Sequence, residues 1–437
     1  MLKGTFVCSL LVFFVLLGIQ TAVGGGTGLP KAPGWEFGAD IRYFKEAKVK
    51  YDSSNWDQGV ENQKIINSWG YKARNVDEIK DLLPETFYNM LKHPEIWGDV
   101  RINETEFIPN KGVACKAYEE ATRKYKGTCK LDEKGWLHNY KAGCPFPDLD
   151  PEKDPLGALK LAWNFIKRFQ FDDRNCANIE SIIDRQGNIR NLYADNINMH
   201  FNNRLMNDPK PLYQPNRTGL DLVYALPFMG PYSMRGTIPL IYRYDDPNKD
   251  DDMWMYLPAM RRVRRMSTTQ TQDRLPGGMD FTWDTTENFY GKVNKFNWEY
   301  LGRRKMLLPI VSGNEPQVDT TGYFTGVDQY HQMREVYTLR ATYKNPISMK
   351  SILMWVDTET WDTLYSVDQD IKGRDWLFQY YCHGRLKDGT FTTNNQTCMD
   401  IQRRHSSRSI LPNEYANEDM KPAALTIQAL KKKYLVR

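Results

Sequence analysis

The chain has 437 residues, a formal charge of +5 and 13% aromatic residues, among them 12 Trp and 25 Tyr. That length supplies one large domain, or two intimately packed ones, with ample core. The small charge excess, with no basic stripe on a recognised nucleic-acid-binding fold, argues against nucleic acid. The cysteines include no CxxC and no His at ligand spacing, which argues against zinc, and Cys382-His383 lacks the spacing for haem attachment.

Residues 1–24 are expected to be a secretory signal. Lys3 gives the positive start, Thr5 to Ile19 form an apolar run, and small residues follow at Ala22, Val23 and Gly24. The run is shorter than the ~20 residues of a spanning helix. Cys8 lies inside it, so no acceptor for a lipid anchor follows a cleavage site. The six remaining cysteines, Cys115, Cys129, Cys144, Cys176, Cys382 and Cys398, are an even set that suits disulfides in an oxidising compartment. Cys382 with Cys398 is the easiest local pair, and the other four would staple the region around Cys144-Pro145-Phe146-Pro147.

Residues 25–142 read as a helical and disulfide-held region. Within it, 76–90 has apolar residues at three- and four-residue spacing and is split by Pro84. Asp154-Pro155 is a good helix start, and Leu156, Leu159, Trp163 and Ile166 mark one face of a helix over 155–169. A hairpin follows at 182–193, turning at Gln186-Gly187. Further strands are predicted at 238–244, 253–257, 279–284, 292–302, 334–343, 351–357, 362–367 and 375–382. Strands in succession, joined by turns, mean an antiparallel sheet. Residues 422–435 read as a short helix whose cations at Lys431, Lys432 and Lys433 suit its negative end. The helical first third and the absence of a terminal aromatic strand argue against an outer-membrane barrel.

The centre of this pattern is the stretch 252–309. Met279, Phe281 and Trp283 alternate with Asp280, Thr282 and Asp284, and Phe296, Trp298 and Tyr300 alternate with Asn297 and Glu299. Period two marks a strand with one apolar and one wet face. So many aromatics on one face of a sheet with few helices to cover it suggest a sheet curled over a cavity. Arg261, Arg262, Arg264 and Arg265 could grip a phosphate or carboxylate headgroup. They could equally pair with acids of a neighbouring strand, such as Asp280 or Asp284. The acidic run around residues 245–252 fits a solvated hairpin tip better than a calcium loop. There is no GxSxG, HExxH or phosphate-cradling Gly-rich loop, and the six His are dispersed.

Four segments carry a resemblance: PFPDLDPEKDPLGALKLAWNF (145–165), MWMYLPAMRRVRRM (253–266), GGMDFTWDTTENFYGKVNKFNWEYLGRRKMLLP (277–309) and SILMWVDTETWDTLYSVDQDIKGR (351–374). The chain resembles a proteobacterial family of exported proteins of unknown function, commonly labelled outer-membrane lipoprotein-sorting-like and related to the LolA/LolB carriers. The resemblance covers about residues 143–382, leaving 383–437 as an expected extension packed on that domain. It implies an α+β fold, a curved antiparallel sheet (an incomplete β-barrel) closed by helices around an apolar cavity. No active site is established for that family, so the resemblance carries over no catalytic residue, and no cofactor is expected. Relatives tend to accompany RND-type inner-membrane exporters and outer-membrane proteins.

The expected function is therefore a periplasmic carrier or binding protein for a lipid or other hydrophobic molecule, not an enzyme, with transient membrane contact. Trp254, Tyr256, Phe281, Trp283, Phe296 and Trp298 would line or border the cavity, and Arg261, Arg262, Arg264 and Arg265 would sit at its rim or meet a partner. Two alternatives are a secreted hydrolase with a cleft on the sheet, needing carboxylates ~5 Å apart if it were a retaining glycosidase, and an envelope structural protein with a solid interior.

Overall fold

The computed structural model describes residues 64–70, 75–107, 115–246, 248–311, 320–325, 328–385, 391–413 and 420–435. The expected signal segment lies outside the described residues. Among the described residues, no helix is long and apolar enough to cross a membrane.

Helix α1 (Glu85–Leu91) begins at Pro84, which ends the preceding 3-10 turn (Val76–Leu82) as the sequence suggests. Helix α2 (Lys116–Tyr125) lies in the region expected to be a disulfide-held excursion. Helix α3 (Gly157–Ile166) buries Leu161, Ala162 and Phe165, and helix α4 (Ile427–Tyr434) is capped by the Thr426 side chain, which accepts from the Ala429 N–H.

The strands that follow α3 are β1 (Asp173–Ile183), β2 (Ile189–His200), β3 (Leu220–Ala225), β4 (Ile238–Tyr244), β5 (Asp252–Leu257), β6 (Arg262–Met266) and β7 (Phe296–Leu308). The chain continues through β8 (Asp328–Tyr343), β9 (Met349–Asp357), β10 (Thr363–Asp370), β11 (Asp375–Arg385), β12 (Phe391–Asp400) and β13 (His405–Asn413). They form a continuous antiparallel run in the order β6-β5-β4-β3-β2-β1-β13-β12-β11-β10-β9-β8-β7. Strand Arg101–Thr105 adds in parallel to the start of β8, and Ile65–Gly70 pairs with it. The large curved sheet is mostly antiparallel, as expected. It is not closed, because its edges β6 and β7 do not pair with each other.

Three expectations are corrected. Strands β12 and β13 sit between β11 and β1, so the chain after residue 383 is part of the sheet rather than an extension packed on it. Segment 279–284 is not a strand; it makes one isolated bridge, Arg274 with Thr282. Its alternation does not separate a wet face from a dry one, since Asp280, Thr282 and Asp284 are as buried as Phe281 (2% exposed) and Trp283 (3%). The acids are answered inside the protein. Asp280 is bound by Arg274, His405 and Ser407, and Asp284 accepts from Thr271 and Tyr343. The third correction concerns the six cysteines, which are free thiols. Cys382 pairs with Asn395 and Cys398 with Gln379. The two are therefore three positions out of register and on opposite faces, about 10 Å apart along the strand, beyond the ~7 Å a disulfide can bridge.

The main core joins Phe281, Trp283, Phe289 and Phe296 to the aromatic side chains of β10 and β11. Phe87 of α1 packs there among Phe324, Tyr365, Phe378 and Tyr380, at ring separations of 5.3–5.7 Å. On the opposite face of β2–β5, Leu430 of α4 and Leu425 of the turn before it cover a second cluster.

Candidate functional site

The side chains that alternate along the strands build one end of the inner face. On β2, Asn196, Asn198 and His200 share a face, and Arg174 of β1 lies directly opposite Asn198 in the ladder. Tyr381 and His383 of β11, Gln396 of β12 and Leu411 of β13 complete the floor of a cavity of about 510 Å³. Its sides are helix α2, the loop Arg168–Phe171, the β9–β10 turn and the short turn Glu287-Asn288. This size falls within the range of roughly 300–1,000 Å³ typical of small-molecule sites.

Three of the lining residues have left-handed backbones: Glu287 at φ 54°, Asn288 at φ 64° and Trp361 at φ 61°. Such conformations cost non-glycine residues of order 1–3 kcal/mol and gather where surrounding contacts over-determine them, often at functional sites. Those contacts are present. Asn288 donates through Nδ2 to the Thr363 carbonyl at 2.7 Å, and Glu287 is ion-paired to Arg174. The turn holding Trp361 is fixed by Asp357, whose Oδ1 accepts from the Glu359 and Thr360 N–H groups at 2.9 and 2.8 Å. Asp357 is itself held by Arg334 at 2.6 Å.

Asp362 faces Arg168 at 2.9 Å on one side and His383 at 3.4 Å on the other. Burial alone would raise the Glu287 carboxyl, but Arg174, helped by Arg168, outweighs it and holds the group below its ordinary value. Burial lowers His200 to about 4 and also lowers His383, against the pull of Asp221 and Asp362 respectively, so both imidazoles are neutral near pH 7. The Cys115 and Cys144 thiols are pushed up to about 12 by burial and are poor nucleophiles there. Among the described residues no group of three His, Cys, Asp or Glu could hold a metal ion.

The cavity is thus two-sided. Arg168, Arg174, Glu287, Asp362 and the two histidines give it hydrogen-bonding and charged groups, while Phe169, Phe171, Trp361, Tyr290 and Leu411 give it apolar surface. Phe169 and Phe171 meet edge to face at 5.5 Å. The apolar cavity that the family resemblance implies is here lined on one side by charged and hydrogen-bonding groups.

None of the ten residues singled out in the sequence is among those lining this cavity. Phe281, Trp283 and Phe296 are packed into the core. Trp298 is half-buried on Phe289 and donates from Nε1 to the Val293 carbonyl at 3.0 Å. Trp254 and Tyr256 lie under α4, with Trp254 against Tyr242 at 5.0 Å and the Lys431 ammonium 4.5 Å from the Tyr256 ring. Arg261, Arg262, Arg264 and Arg265 are exposed on β6 and the turn before it, and Arg265 pairs with Asp252 rather than with Asp280 or Asp284. The residues that do line the cavity are scattered through the sequence. The signal that could have found them is a polar residue such as Arg174 or His383 set in an otherwise strand-like run.

Comparison with known proteins agrees with a family lacking an assigned role. No curated protein matches the chain. Among solved structures, the chain is similar to a DUF1329 family protein from Desulfovibrio piger (18% identity, 62% of this chain and 96% of that one, TM-score 0.46). It is also similar to a putative outer membrane lipoprotein-sorting protein domain from Vibrio parahaemolyticus (15%, 64% and 100%, TM-score 0.47). A LolA superfamily protein from Nitrosomonas europaea is more distant (13%, 59% and 92%, TM-score 0.39). A family model matches residues 72–431, and the chain therefore belongs to the family described as a protein of unknown function, DUF1329.

Proposed function

We propose that this protein binds an amphipathic molecule in the cavity between β1, β11 and α2, as a non-enzymatic carrier or binding protein of the cell envelope. The observation that carries the reading is the pairing of the Arg174–Glu287 and Arg168–Asp362 ion pairs with the Phe169, Phe171 and Trp361 surface in a single cavity. A polar headgroup can exchange hydrogen bonds with the charged side, and an apolar chain can cover the aromatic side. Each buried CH₂ contributes ~0.8 kcal/mol, offset by the cost of association. A leader-like start to the sequence and the family resemblance support a periplasmic setting. The same resemblance supports transfer between an inner-membrane exporter and the outer membrane.

Native mass spectrometry of gently purified protein, followed by titration with a fluorescent fatty acid, tests the reading. One co-purified amphiphile, or saturable uptake at one site, is expected. A bare protein mass with no uptake would overturn it.

The Asp362–His383 contact favours a second reading, a hydrolase in which neutral His383 accepts a proton from water and Asp362 stabilises the resulting cation. Turnover of a long-chain p-nitrophenyl ester that disappears in His383→Gln would support it. Binding without turnover would dismiss it.

A further inference from the structure

We infer that the end of the molecule bearing the β5–β6 hairpin is a docking surface for an anionic lipid bilayer. The hairpin turns through Pro258–Met260 into Arg261, whose backbone is left-handed at φ 51° and whose N–H donates to the Pro258 carbonyl at 3.0 Å. This turn projects Met260 (47% exposed) and, at the start of β6, Val263 (42%). Beside it lies the turn 231–236. A Cβ at Gly236 would touch Pro258 and overlap Leu435, so this second turn packs against both the hairpin and the end of α4. It carries Tyr232, which is 94% exposed.

The cations of this end include Arg261, Arg262 and Arg264, together with exposed Arg235 on the neighbouring turn and Lys432 in the last turn of α4. Among the described residues, Arg265 is the member of the arginine cluster that has an acid partner, Asp252. Strand β6 is also an edge of the sheet, and charged side chains on an edge discourage pairing with another chain. Edge protection accounts for the arginines. It does not account for Met260, Val263 and Tyr232 standing exposed among them.

A bilayer with anionic headgroups answers both features, since cations are drawn to its surface and apolar tips enter the headgroup layer. Guanidinium also pairs with phosphate oxygens in bidentate fashion. Tyr232 comes from one turn, Met260 from the adjoining one and Val263 from the start of β6. That arrangement suits a fluid surface better than the side chains of an acidic protein.

The test is co-sedimentation of the full chain with phosphatidylcholine vesicles, with and without phosphatidylglycerol, at low and high salt. Binding is expected with phosphatidylglycerol, and it should weaken with salt. R261A/R262A/R264A should weaken it on the order of a hundredfold, and M260S/V263S about tenfold. Thermal melts should show both variants folded, as every substituted side chain is exposed. Equal binding to pure phosphatidylcholine, no binding at low salt, or wild-type binding by the triple variant would overturn the inference. Arginine-dependent binding to polyglutamate with none to vesicles would also overturn it, in favour of an acidic protein partner. The cavity is untouched by these variants, so uptake of a fluorescent fatty acid from solution should be unchanged. A wild-type protein that takes up the fatty acid but does not bind vesicles therefore sinks the docking surface alone, and one that binds vesicles without uptake sinks the cavity reading alone.

Discussion

Arg168 Nε lies 2.9 Å from Asp362 Oδ1, tying the chain just after α3 to the turn between β9 and β10. The guanidinium also stacks 4.7 Å from the Phe165 ring and donates to the Phe165 carbonyl at 3.1 Å. A contact this remote in sequence shapes the cavity wall only when the whole sheet has formed.

Breaking that pair should cost far more than the pair itself contributes. Asp362→Asn leaves a largely buried guanidinium without its counter-charge, and a loss of about 3 kcal/mol is expected in urea unfolding. The double variant R168M/D362L removes both charges and should recover at least half of the loss. A double variant no more stable than Asp362→Asn would contradict the argument.

The Arg174–Glu287 pair should matter to binding as well. Arg174→Met is expected to weaken fatty-acid uptake at least tenfold, because one anchor of the polar side is gone and Glu287 loses the charge that keeps it ionised. Fluorescence titration of folded protein is the check. Unchanged affinity would place the ligand elsewhere.

The aromatic residues of the central stretch should behave as core. Phe281→Ala should destabilise the fold by about 3–5 kcal/mol through the cavity it leaves. The milder Phe281→Leu should fold and take up ligand with wild-type affinity. A selective loss of uptake in Phe281→Leu would put the ligand on the face where Phe281, Trp283 and Phe296 lie.

Buried titrating groups give the fold a worked pH dependence. Burial drops His200 to about 4 and His331 to about 3, from an ordinary 6.5. Below pH 6.5 the unfolded chain takes up protons that the folded one refuses. Stability should therefore fall as pH is lowered from 6.5 towards 4, at up to ~1.4 kcal/mol per pH unit for each His. Glu180 acts in the other direction. Burial raises it from 4.5 to about 7 despite the hydrogen bond from Asn178, so the folded state keeps a proton that the unfolded chain releases. Its penalty grows as pH rises from 4.5 to 7 and stands in full above that. Glu180→Gln should thus stabilise the protein by on the order of 2–3 kcal/mol at pH 8 and by little at pH 4.5. Urea midpoints at the two pH values decide it; equal gains at both would contradict the assignment.

Much of the sheet was legible in the sequence because its strands carry the period-two and β-branched signals that local chemistry writes. The hairpin at Gln186-Gly187 and strand β4 fall where expected. Strands β12 and β13 escaped, since their Thr-, Asn- and Ser-rich runs bury polar side chains such as Asn395, Thr397, Ser407 and Ser409 at the centre of the sheet. Period two misled at Phe281 and Trp283 for a related reason. Asp280 and Asp284 between them are satisfied by Arg274, His405 and Thr271 instead of by water. The candidate site was the least legible part, because Arg174, Glu287, Asp362 and His383 meet only through long-range pairing.

The location of the bound molecule is the claim on which the account turns, and photo-crosslinking tests it most directly. A fatty acid bearing a diazirine on its chain would be bound, irradiated and its adducts mapped by peptide mass spectrometry. Adducts on the segments holding Phe169, Phe171 and Trp361 are the predicted result. Adducts confined to the segment holding Phe281, Trp283 and Trp298, or none above a denatured control, would contradict it.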